Sequence, residues 1–222
     1  MPKSALLVGA TGLVGQACLE RLLDSPVYDR VTVFARRPLL YEDPKLRVHV
    51  VDFERLEEQG HCLVADDIYC CLGTTMQKAK TKEKFRRVDY DYPLALAELA
   101  EKKGAKHFLL ISSLGADSES IFFYLRVKGE LEEKLKEMGF KSLSLLQPSL
   151  LLGDRQESRL GEKYAMTFGR MLKPVLLGPL SKYGGIEAKD VAHAMVRLGE
   201  EGKIGVRTFV SESLAEIALG KR

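Results

Sequence analysis

The 222-residue sequence has no tryptophan, only four cysteines and no long apolar run. None of the cysteines forms a C-x-x-C pair and the histidines are scattered, so we expect reduced thiols and no metal site. The apolar stretch before Gly9 is too short for the core of a signal peptide, and no run approaches the ~18 residues of a membrane span. These absences predict a cytoplasmic protein that does not bind membranes.

The chain also lacks a strong charge of either sign. Its 34 basic and 31 acidic residues leave a formal net charge of +3, whereas a nucleic-acid-binding domain usually carries a dense basic face. A composition of 45% hydrophobic and 29% charged residues is typical of a globular protein. We therefore expect a small-molecule ligand and no nucleic acid, with a monomer and a dimer equally open.

Short apolar runs alternate with longer amphipathic stretches, which predicts parallel strands joined by crossover helices. The predicted strands are residues 5–8, 31–34, 47–51, 67–72, 107–111, 142–146 and 207–210, and the main helices are 16–23, 92–103 and 123–138. The predicted fold class is α/β, a doubly wound, mostly parallel sheet with helices on both faces, in one domain of residues 1–222. The less regular segment 148–187 is expected to form a small embedded substrate region for an apolar or amphipathic ligand.

The first predicted strand runs directly into Gly9-Ala10-Thr11-Gly12-Leu13-Val14-Gly15, and a helix follows. Here Gly9 permits a tight turn, Gly12 lets backbone N–H groups approach a pyrophosphate, and Gly15 lets the helix pack closely. The helix N-terminus adds free N–H groups and a partial positive charge. Residues 9–14 are therefore predicted to hold the phosphates of a dinucleotide in a Rossmann fold, the alternative being a glycine turn without a ligand.

The end of the second strand discriminates between NAD and NADP(H). An NAD site has an acidic residue about 20 positions beyond the glycines, on the ribose 2′-hydroxyl. Arg36 and Arg37 occupy this turn instead, and a guanidinium suits a 2′-phosphate through its charge and planar donors. The pair predicts NADP(H), unless both arginines merely solvate a surface turn.

The third strand ends beside Asp52 and Phe53. The Asp52 carboxylate is a candidate to accept a hydrogen bond from the adenine amino group of the cofactor. It is equally a candidate to cap the helix that begins near Glu54. The sequence leaves both roles open.

Tyr124 and Lys128 lie four residues apart in a predicted helix, on one face and about 5–6 Å apart. A tyrosine with a pKa near 10 is a poor acid or base at neutral pH. We expect the Lys128 ammonium to favour the phenolate and lower the pKa of Tyr124, so that the phenol exchanges a proton with a carbonyl or alcohol oxygen. Ser113, beyond the fifth strand, is expected to bind the same substrate oxygen, although two serines can also simply open a polar loop.

Together, the glycine motif, the strand-end serine and the Tyr-x-x-x-Lys pair resemble the short-chain dehydrogenase/reductase superfamily. The spacing of the glycines is similar to that of its extended and atypical branches. More narrowly, the chain resembles the Tat-interactive protein family of oxidoreductases in residues 70–75, 88–92, 112–117, 124–130 and 154–159.

This resemblance implies an atypical short-chain fold that binds NADPH. It implies that Tyr124 and Lys128 hold the catalytic positions and that Arg36 and Arg37 bind the 2′-phosphate. It further implies that the loop Leu72-Gly73-Thr74 runs beside the cofactor and that Leu151 and Arg159 contact its nicotinamide end.

Three functions are compatible with these features. The first is an NADPH-dependent oxidoreductase that reduces a small carbonyl-type substrate with a tyrosine as acid and base. The second is an NADP(H)-binding sensor or partner-binding protein with little or no turnover. The third, an epimerase or dehydratase, is disfavoured by Arg36 and Arg37, because such enzymes usually retain NAD. The sequence does not identify the substrate.

Overall fold

The computed structural model describes residues 2–153 and 185–221, and the elements below are numbered over these residues. The strands are β1 Lys3–Val8, β2 Tyr28–Ala35, β3 Leu46–Val50, β4 Asp67–Cys70, β5 His107–Ile111, β6 Ser142–Gln147, β7 Leu151–Leu152, β8 Ile186–Glu187 and β9 Gly205–Val210. The helices are α1 Leu13–Asp24, α2 Met76–Ala79, α3 Lys82–Arg86, α4 Tyr92–Lys102, α5 Phe123–Lys136, α6 Ala188–Glu201 and α7 Ser211–Ala218, with a 3₁₀ helix at Phe53–Cys62 and a π turn at Arg87–Asp91.

Seven strands form one parallel sheet in the order β3-β2-β1-β4-β5-β6-β9, and β7 pairs with β8 in a separate short ladder. Val8 at the end of β1 lies between Phe34 of β2 and Cys70 of β4. The strand order changes direction between β1 and β4, and in open α/β sheets ligands bind outside the carboxyl ends of the strands at such a point. The predicted α/β Rossmann fold is confirmed.

Both faces of the sheet are covered by helices. Successive side chains of a strand point to opposite faces, so Leu7 packs in one layer with α1, α6 and α7, and Leu6 packs in the other with α4 and α5. The neighbouring cysteines follow the same alternation, because Cys70 belongs to the α4 and α5 layer and Cys71 to the α1 layer. Burial on both faces explains why the strands read as continuous apolar runs.

Of the ten predicted strands and helices, five are longer in the structure, two have the predicted length and three are shorter, and several observed elements lie outside the prediction. Helix α5 ends at Lys136, two residues earlier than expected. The apolar pattern left four helices unassigned, namely α2, α3, α6 and α7. The residue before α6 is Glu187, which is not a typical helix-capping residue and makes no capping hydrogen bond, so the sequence offers no start signal there. Among the described helices, none has the length and apolarity needed to cross a membrane. Of the predicted substrate region 148–187, residues 154–184 lie outside the described residues.

Candidate nucleotide and catalytic site

The β1–α1 loop and the first turn of α1 each have a position that only glycine fits. Gly9 has a φ of +83°, and a Cβ atom on it would come within 2.4 Å of the carbonyl oxygen of Cys71. A Cβ atom on Gly15 would come within 2.0 Å of the Gly9 carbonyl oxygen. Because no side chain separates these backbones, α1 packs directly on the loop and the loop on the end of β4.

The start of α1 is open to an anion. A Cβ atom on Gly12 would meet only the Gly9 carbonyl oxygen, at 3.3 Å. Within the described part of the chain, no side chain caps this helix, and its first turn contains no acidic residue. Its first backbone N–H groups and the positive end of its dipole are therefore available to a phosphate. These features fit the dinucleotide cradle predicted for residues 9–14.

Arg36 and Arg37 follow β2 at the carboxyl edge of the sheet. Because β1 and β2 pair through Val8 and Phe34, both arginines lie close to the glycine loop that follows β1. Both side chains are exposed, and among residues 2–153 and 185–221 neither has an ion pair or hydrogen bond. Both guanidinium groups are therefore free to bind an anion at this edge.

Asp52 caps the 3₁₀ helix, since its Oδ1 atom accepts a hydrogen bond of 3.0 Å from the backbone N–H of Glu54. Phe53 is only 7% exposed, and its ring packs against Tyr92 with the centroids 5.5 Å apart. The capping role of Asp52 is thus confirmed. Contact of Asp52 or Phe53 with an adenine stays a prediction.

The loop after β4 connects the nucleotide cradle to helix α5. Leu72 packs against the core layer of α4 and α5. A Cβ atom on the exposed Gly73 would lie 3.5 Å from Asp89 Oδ1 and 3.9 Å from Lys128 Nζ. The backbone N–H of Thr74 donates to Asp89 Oδ2 at 2.8 Å. The loop thus lies against the predicted catalytic lysine.

The segment around β7 approaches the cradle from the other side. Leu151 is half-buried and pairs with Ile186 of β8. Two residues later, a Cβ atom on Gly153 would lie 3.6 Å from the side chain of Leu13 at the start of α1. Arg159, the other residue predicted for the nicotinamide end, lies outside the described residues.

The predicted catalytic residues meet beyond the carboxyl end of β5. Ser113 follows this strand by two residues and is buried. Tyr124 is half-buried in the first turn of α5, with its ring 5.4 Å from that of Phe85 between centroids. The Ser113 hydroxyl donates to the carbonyl oxygen of Leu114 at 3.4 Å and is close enough to the Tyr124 phenol to lower its pKa. Lys128 lies one turn further along the same helix, so the structure brings the three residues together.

Asp89 is a member of this site that sequence reasoning missed. Its Oδ1 atom lies 2.8 Å from Lys128 Nζ, and the two side chains are 1% and 5% exposed. It belongs to the π turn Arg87–Asp91, a rare geometry that is frequent at functional sites. The sequence signal was its place in the segment 88–92, one of those that resemble the oxidoreductase family, but no local pattern predicts that it folds onto Lys128.

The charge balance at Tyr124 differs from the prediction. Burial raises the pKa of Tyr124 above its ordinary value, and the Asp89 carboxylate adds to this rise. Lys128 and Ser113 lower the pKa, but by less. Burial alone would lower the pKa of Lys128, but the Asp89 carboxylate reverses this and raises it. Lys128 thus lowers the pKa of Tyr124 as expected, but burial, assisted by the Asp89 carboxylate, outweighs this effect, and the net shift is upward instead of towards neutral pH.

This arrangement can bind and protonate an oxygen atom. Tyr124 holds its proton at neutral pH and Ser113 provides a second polar contact close to it. Among the described residues, no group of three or more histidine, cysteine, aspartate or glutamate side chains could hold a metal ion. The site therefore combines an anion cradle with a phenol proton donor.

A family model described as NAD(P)H-binding matches residues 9–201. The chain belongs to the NAD(P)H-binding family. One relative of this chain, Protein HTATIP2 of Rattus norvegicus, is 46% identical over 170 residues, which are 75% of this chain and 70% of that protein. Protein FMP52, mitochondrial, of Candida albicans is 32% identical over 205 residues, covering 90% and 89% of the two chains. The resemblance found in the sequence is confirmed.

Solved structures share the fold of this NAD(P)H-binding chain at low sequence identity. The enzyme WbmH of Bordetella bronchiseptica, in complex with NAD+, superposes with a TM-score of 0.70 at 16% identity, covering 96% of this chain and 77% of that one. UDP-glucose 4-epimerase of Thermotoga maritima, with UDP-glucose, gives a TM-score of 0.67 at 17% identity, covering 98% and 82%. At these identities the likeness extends to the fold alone.

Proposed function

We propose that this chain is an NADP(H)-dependent oxidoreductase of the atypical short-chain dehydrogenase/reductase type, which reduces the carbonyl group of a small apolar or amphipathic molecule. The observation that carries the proposal is the meeting of Ser113, Tyr124 and Lys128 at the carboxyl edge of the sheet. The glycine cradle opens at the same edge. A nucleotide binder without chemistry has no need for a buried serine beside a tyrosine and a lysine there.

Each residue has one task in the proposed reaction. Ser113 and Tyr124 bind the carbonyl oxygen, and Tyr124 gives its phenolic proton to that oxygen as the carbon is reduced. Lys128 holds the hydroxyl groups of the nicotinamide ribose. The cofactor, when bound, supplies the hydride that the carbonyl carbon receives. The alcohol product then carries the hydride on carbon and the tyrosine proton on oxygen, and the phenolate is reprotonated from solvent.

The cofactor part of the proposal is tested by titrating the protein into NADPH and into NADH while following nucleotide fluorescence. We expect tight NADPH binding that weakens roughly tenfold to hundredfold in the double variant Arg36→Gln/Arg37→Gln, since hydrogen bonds to charged groups contribute about 1.5–3 kcal/mol. NADH binding should change little. Equal affinity of the native protein for NADH and NADPH would contradict the assignment and reopen the epimerase hypothesis.

A matched variant separates the loss of two specific contacts from the loss of two positive charges. Arg30 and Arg47 lie near the amino ends of β2 and β3, away from the cradle. The variant Arg30→Gln/Arg47→Gln removes the same net charge and should leave NADPH affinity unchanged. If it weakens NADPH binding as much as the Arg36→Gln/Arg37→Gln variant does, the effect is one of overall charge.

The chemical part is tested by screening aldehydes and ketones for NADPH oxidation. For any substrate found, Tyr124→Phe should lower kcat about 10²- to 10⁴-fold, the usual contribution of a general acid, without changing the Kd of NADPH. Retained turnover in this variant would remove Tyr124 as the proton donor.

The second candidate is an NADP(H)-binding sensor or partner-binding protein without turnover. It is favoured by the shortness of the predicted substrate region, residues 148–187. NADPH binding without turnover of any carbonyl compound, together with a protein partner whose affinity differs between NADPH and NADP+, would favour it. Equal partner affinity with both cofactor states would count against a sensor.

A further inference from the structure

The ion pair of Asp89 and Lys128 is the most deeply buried one in the described part of the chain. Lys128 Nζ and Asp89 Oδ1 are 2.8 Å apart, with exposures of 5% and 1%. Such a pair is costly to desolvate and is rarely a large net source of stability. Its position beside Tyr124 therefore points to a role in the site and not in stability.

Asp89 is held in place by three separate parts of the chain. The backbone N–H of Thr74 donates to its Oδ2 atom, Lys128 of α5 pairs with its Oδ1 atom, and the π turn supplies its backbone. Gly73 lies against both charged groups, because a Cβ atom there would be 3.5 Å from Asp89 Oδ1 and 3.9 Å from Lys128 Nζ. The carboxylate is thus fixed between the loop expected to border the cofactor and the helix of the catalytic tyrosine.

Among residues 2–153 and 185–221, the groups that face this pair contribute no compensating charge. Tyr124 on α5 is a phenol, and Cys70 on β4 is a buried thiol whose pKa burial raises to about 12. Thr74 and Gly73 contribute backbone alone. The Lys128 ammonium is consequently balanced by Asp89, and Tyr124 experiences a pair with no net charge in place of a lone cation.

Resting on the proposed function, we infer that Asp89 is a positioning residue: it serves as the internal counter-ion of Lys128, so that Tyr124 keeps its proton and the site is set to donate a proton to a carbonyl oxygen. In this arrangement the Lys128 ammonium still serves the ribose hydroxyls with its N–H donors. A lone ammonium in the same place would favour the phenolate, which cannot donate. The same pair also holds the loop Leu72-Gly73-Thr74 against α5.

The inference is tested by measuring the ionisation of Tyr124 directly. Because the chain has no tryptophan, tyrosinate absorbance near 295 nm is unobscured, and subtracting the titration of the Tyr124→Phe variant isolates Tyr124. For Asp89→Asn, the titration to subtract is that of the double variant Asp89→Asn/Tyr124→Phe. We expect the Tyr124 midpoint in Asp89→Asn to lie about one pH unit or more below the native midpoint, because a positive charge within ~4–6 Å is then no longer balanced. An unchanged or higher midpoint would overturn the inference.

Glu130→Gln is the matched control. Glu130 is also on α5 and also pairs with a cation, Arg86, but both side chains are partly exposed. Its loss removes one carboxylate from the same helix and should leave the Tyr124 midpoint in place. An equal shift in this variant would mean that any carboxylate on α5 acts on Tyr124, and would refute a specific role for Asp89.

If Asp89→Asn does not fold, as judged by circular dichroism, the neutral double variant Asp89→Asn/Lys128→Met decides. Replacing a buried pair by neutral side chains is often tolerated where removal of one partner is not. If the pair acts as a neutral unit, the Tyr124 midpoint in the double variant stays near the native value. A midpoint raised by a unit or more would show that Lys128 acts on Tyr124 as an unbalanced cation, and would overturn the inference.

These titrations need neither substrate nor cofactor, so their failure is distinct from failure of the proposed function. A shifted midpoint in a protein without turnover would support the counter-ion role of Asp89 and contradict the proposed reductase function. Where a substrate is found, the alkaline limb of kcat/KM against pH should move down in Asp89→Asn by the same amount as the spectroscopic midpoint. A limb that stays in place while the midpoint moves would separate Asp89 from catalysis.

Discussion

Gly199 lies so close under the phenol of Tyr69 that a Cβ atom on residue 199 would come within 1.8 Å of the phenol oxygen. Tyr69 is hydrogen-bonded to Tyr28 at 2.6 Å between oxygens, and Tyr28 donates to Asp67 Oδ2 at 2.6 Å. Lys3 joins Asp67 to the carbonyl oxygen of Gly199. This buried network attaches helix α6 to β1, β2 and β4, chiefly near the amino ends of the strands and away from the nucleotide cradle.

We expect Gly199→Ala to destabilise the fold, although alanine favours an isolated helix by about 1 kcal/mol over glycine. Overpacking a close contact usually costs about 1–3 kcal/mol and here should exceed this gain. Urea denaturation should show a lower midpoint, and the double variant Gly199→Ala/Tyr69→Phe should recover part of the loss because the nearest clashing atom is gone. A Gly199→Ala protein as stable as the native one would show that α6 moves freely on the sheet.

Two glycines of the cradle should respond differently to alanine. Gly15→Ala places a methyl group 2.0 Å from the Gly9 carbonyl oxygen, so we expect the free energy of unfolding to fall by about 2 kcal/mol or more. Gly12→Ala meets only one atom, at 3.3 Å, so stability should change little while NADPH affinity falls, because the methyl group blocks the phosphate. Thermal denaturation and fluorescence titration of both variants check this. Undiminished NADPH binding in Gly12→Ala would contradict the position of the cradle.

Ser113 should affect catalysis more than its neighbour Ser112. Ser113→Ala removes the hydroxyl that lowers the pKa of Tyr124 and the proposed contact to the substrate oxygen. With a substrate in hand, we expect kcat/KM to fall about 10- to 100-fold, with NADPH affinity retained. Ser112 is also buried, but its hydroxyl has no partner among the described residues, so Ser112→Ala is the control and should leave kcat/KM unchanged. Equal losses in both variants would point to packing.

His107 should make the protein acid-sensitive. It is buried with Nε2 2.9 Å from Ser144 Oγ, and burial, with smaller effects of Arg207 and Lys3, lowers its pKa to about 3. An unfolded histidine has a pKa of about 6.5. Between these values the unfolded chain binds a proton that the folded chain does not, so the free energy of unfolding falls as the pH falls.

We expect this histidine to contribute a loss of about 1.5 kcal/mol between about pH 6.5 and 5. Urea denaturation at the two pH values measures it, and His107→Asn should flatten the dependence by that amount. The exposed His61 provides the control, since His61→Asn should keep the native slope. A slope that His107→Asn leaves unaltered would mean that the folded protein protonates this histidine readily.

Local spacing was enough to predict the glycine loop and its place at the carboxyl edge of the sheet. A strand followed by glycines at positions 9, 12 and 15 and then a helix is a short-range pattern, and its geometry depends on residues that are adjacent in the chain. The position of Arg36 and Arg37 follows from the same pattern, because a parallel neighbour of β1 must end at the same edge. The alternation of side chains along a strand likewise accounts for Cys70 and Cys71 facing opposite layers.

The catalytic half was predicted in its members but not in its charge state. Tyr124 and Lys128 share a helix, so their proximity is local, and Ser113 lies at a strand end that the fold class places at the site. Asp89 lies 39 positions from Lys128 in the chain, and only packing of the π turn between the β4 loop and α5 brings the carboxylate to the ammonium. The sign of the pKa shift of Tyr124 follows from that contact and from burial, both properties of the folded state. The sequence by itself thus determined the fold class, the cradle and the candidate acid, whereas the tertiary structure alone decided which charge the acid experiences, because electrostatic interactions depend on distances and solvent exclusion that no local pattern encodes.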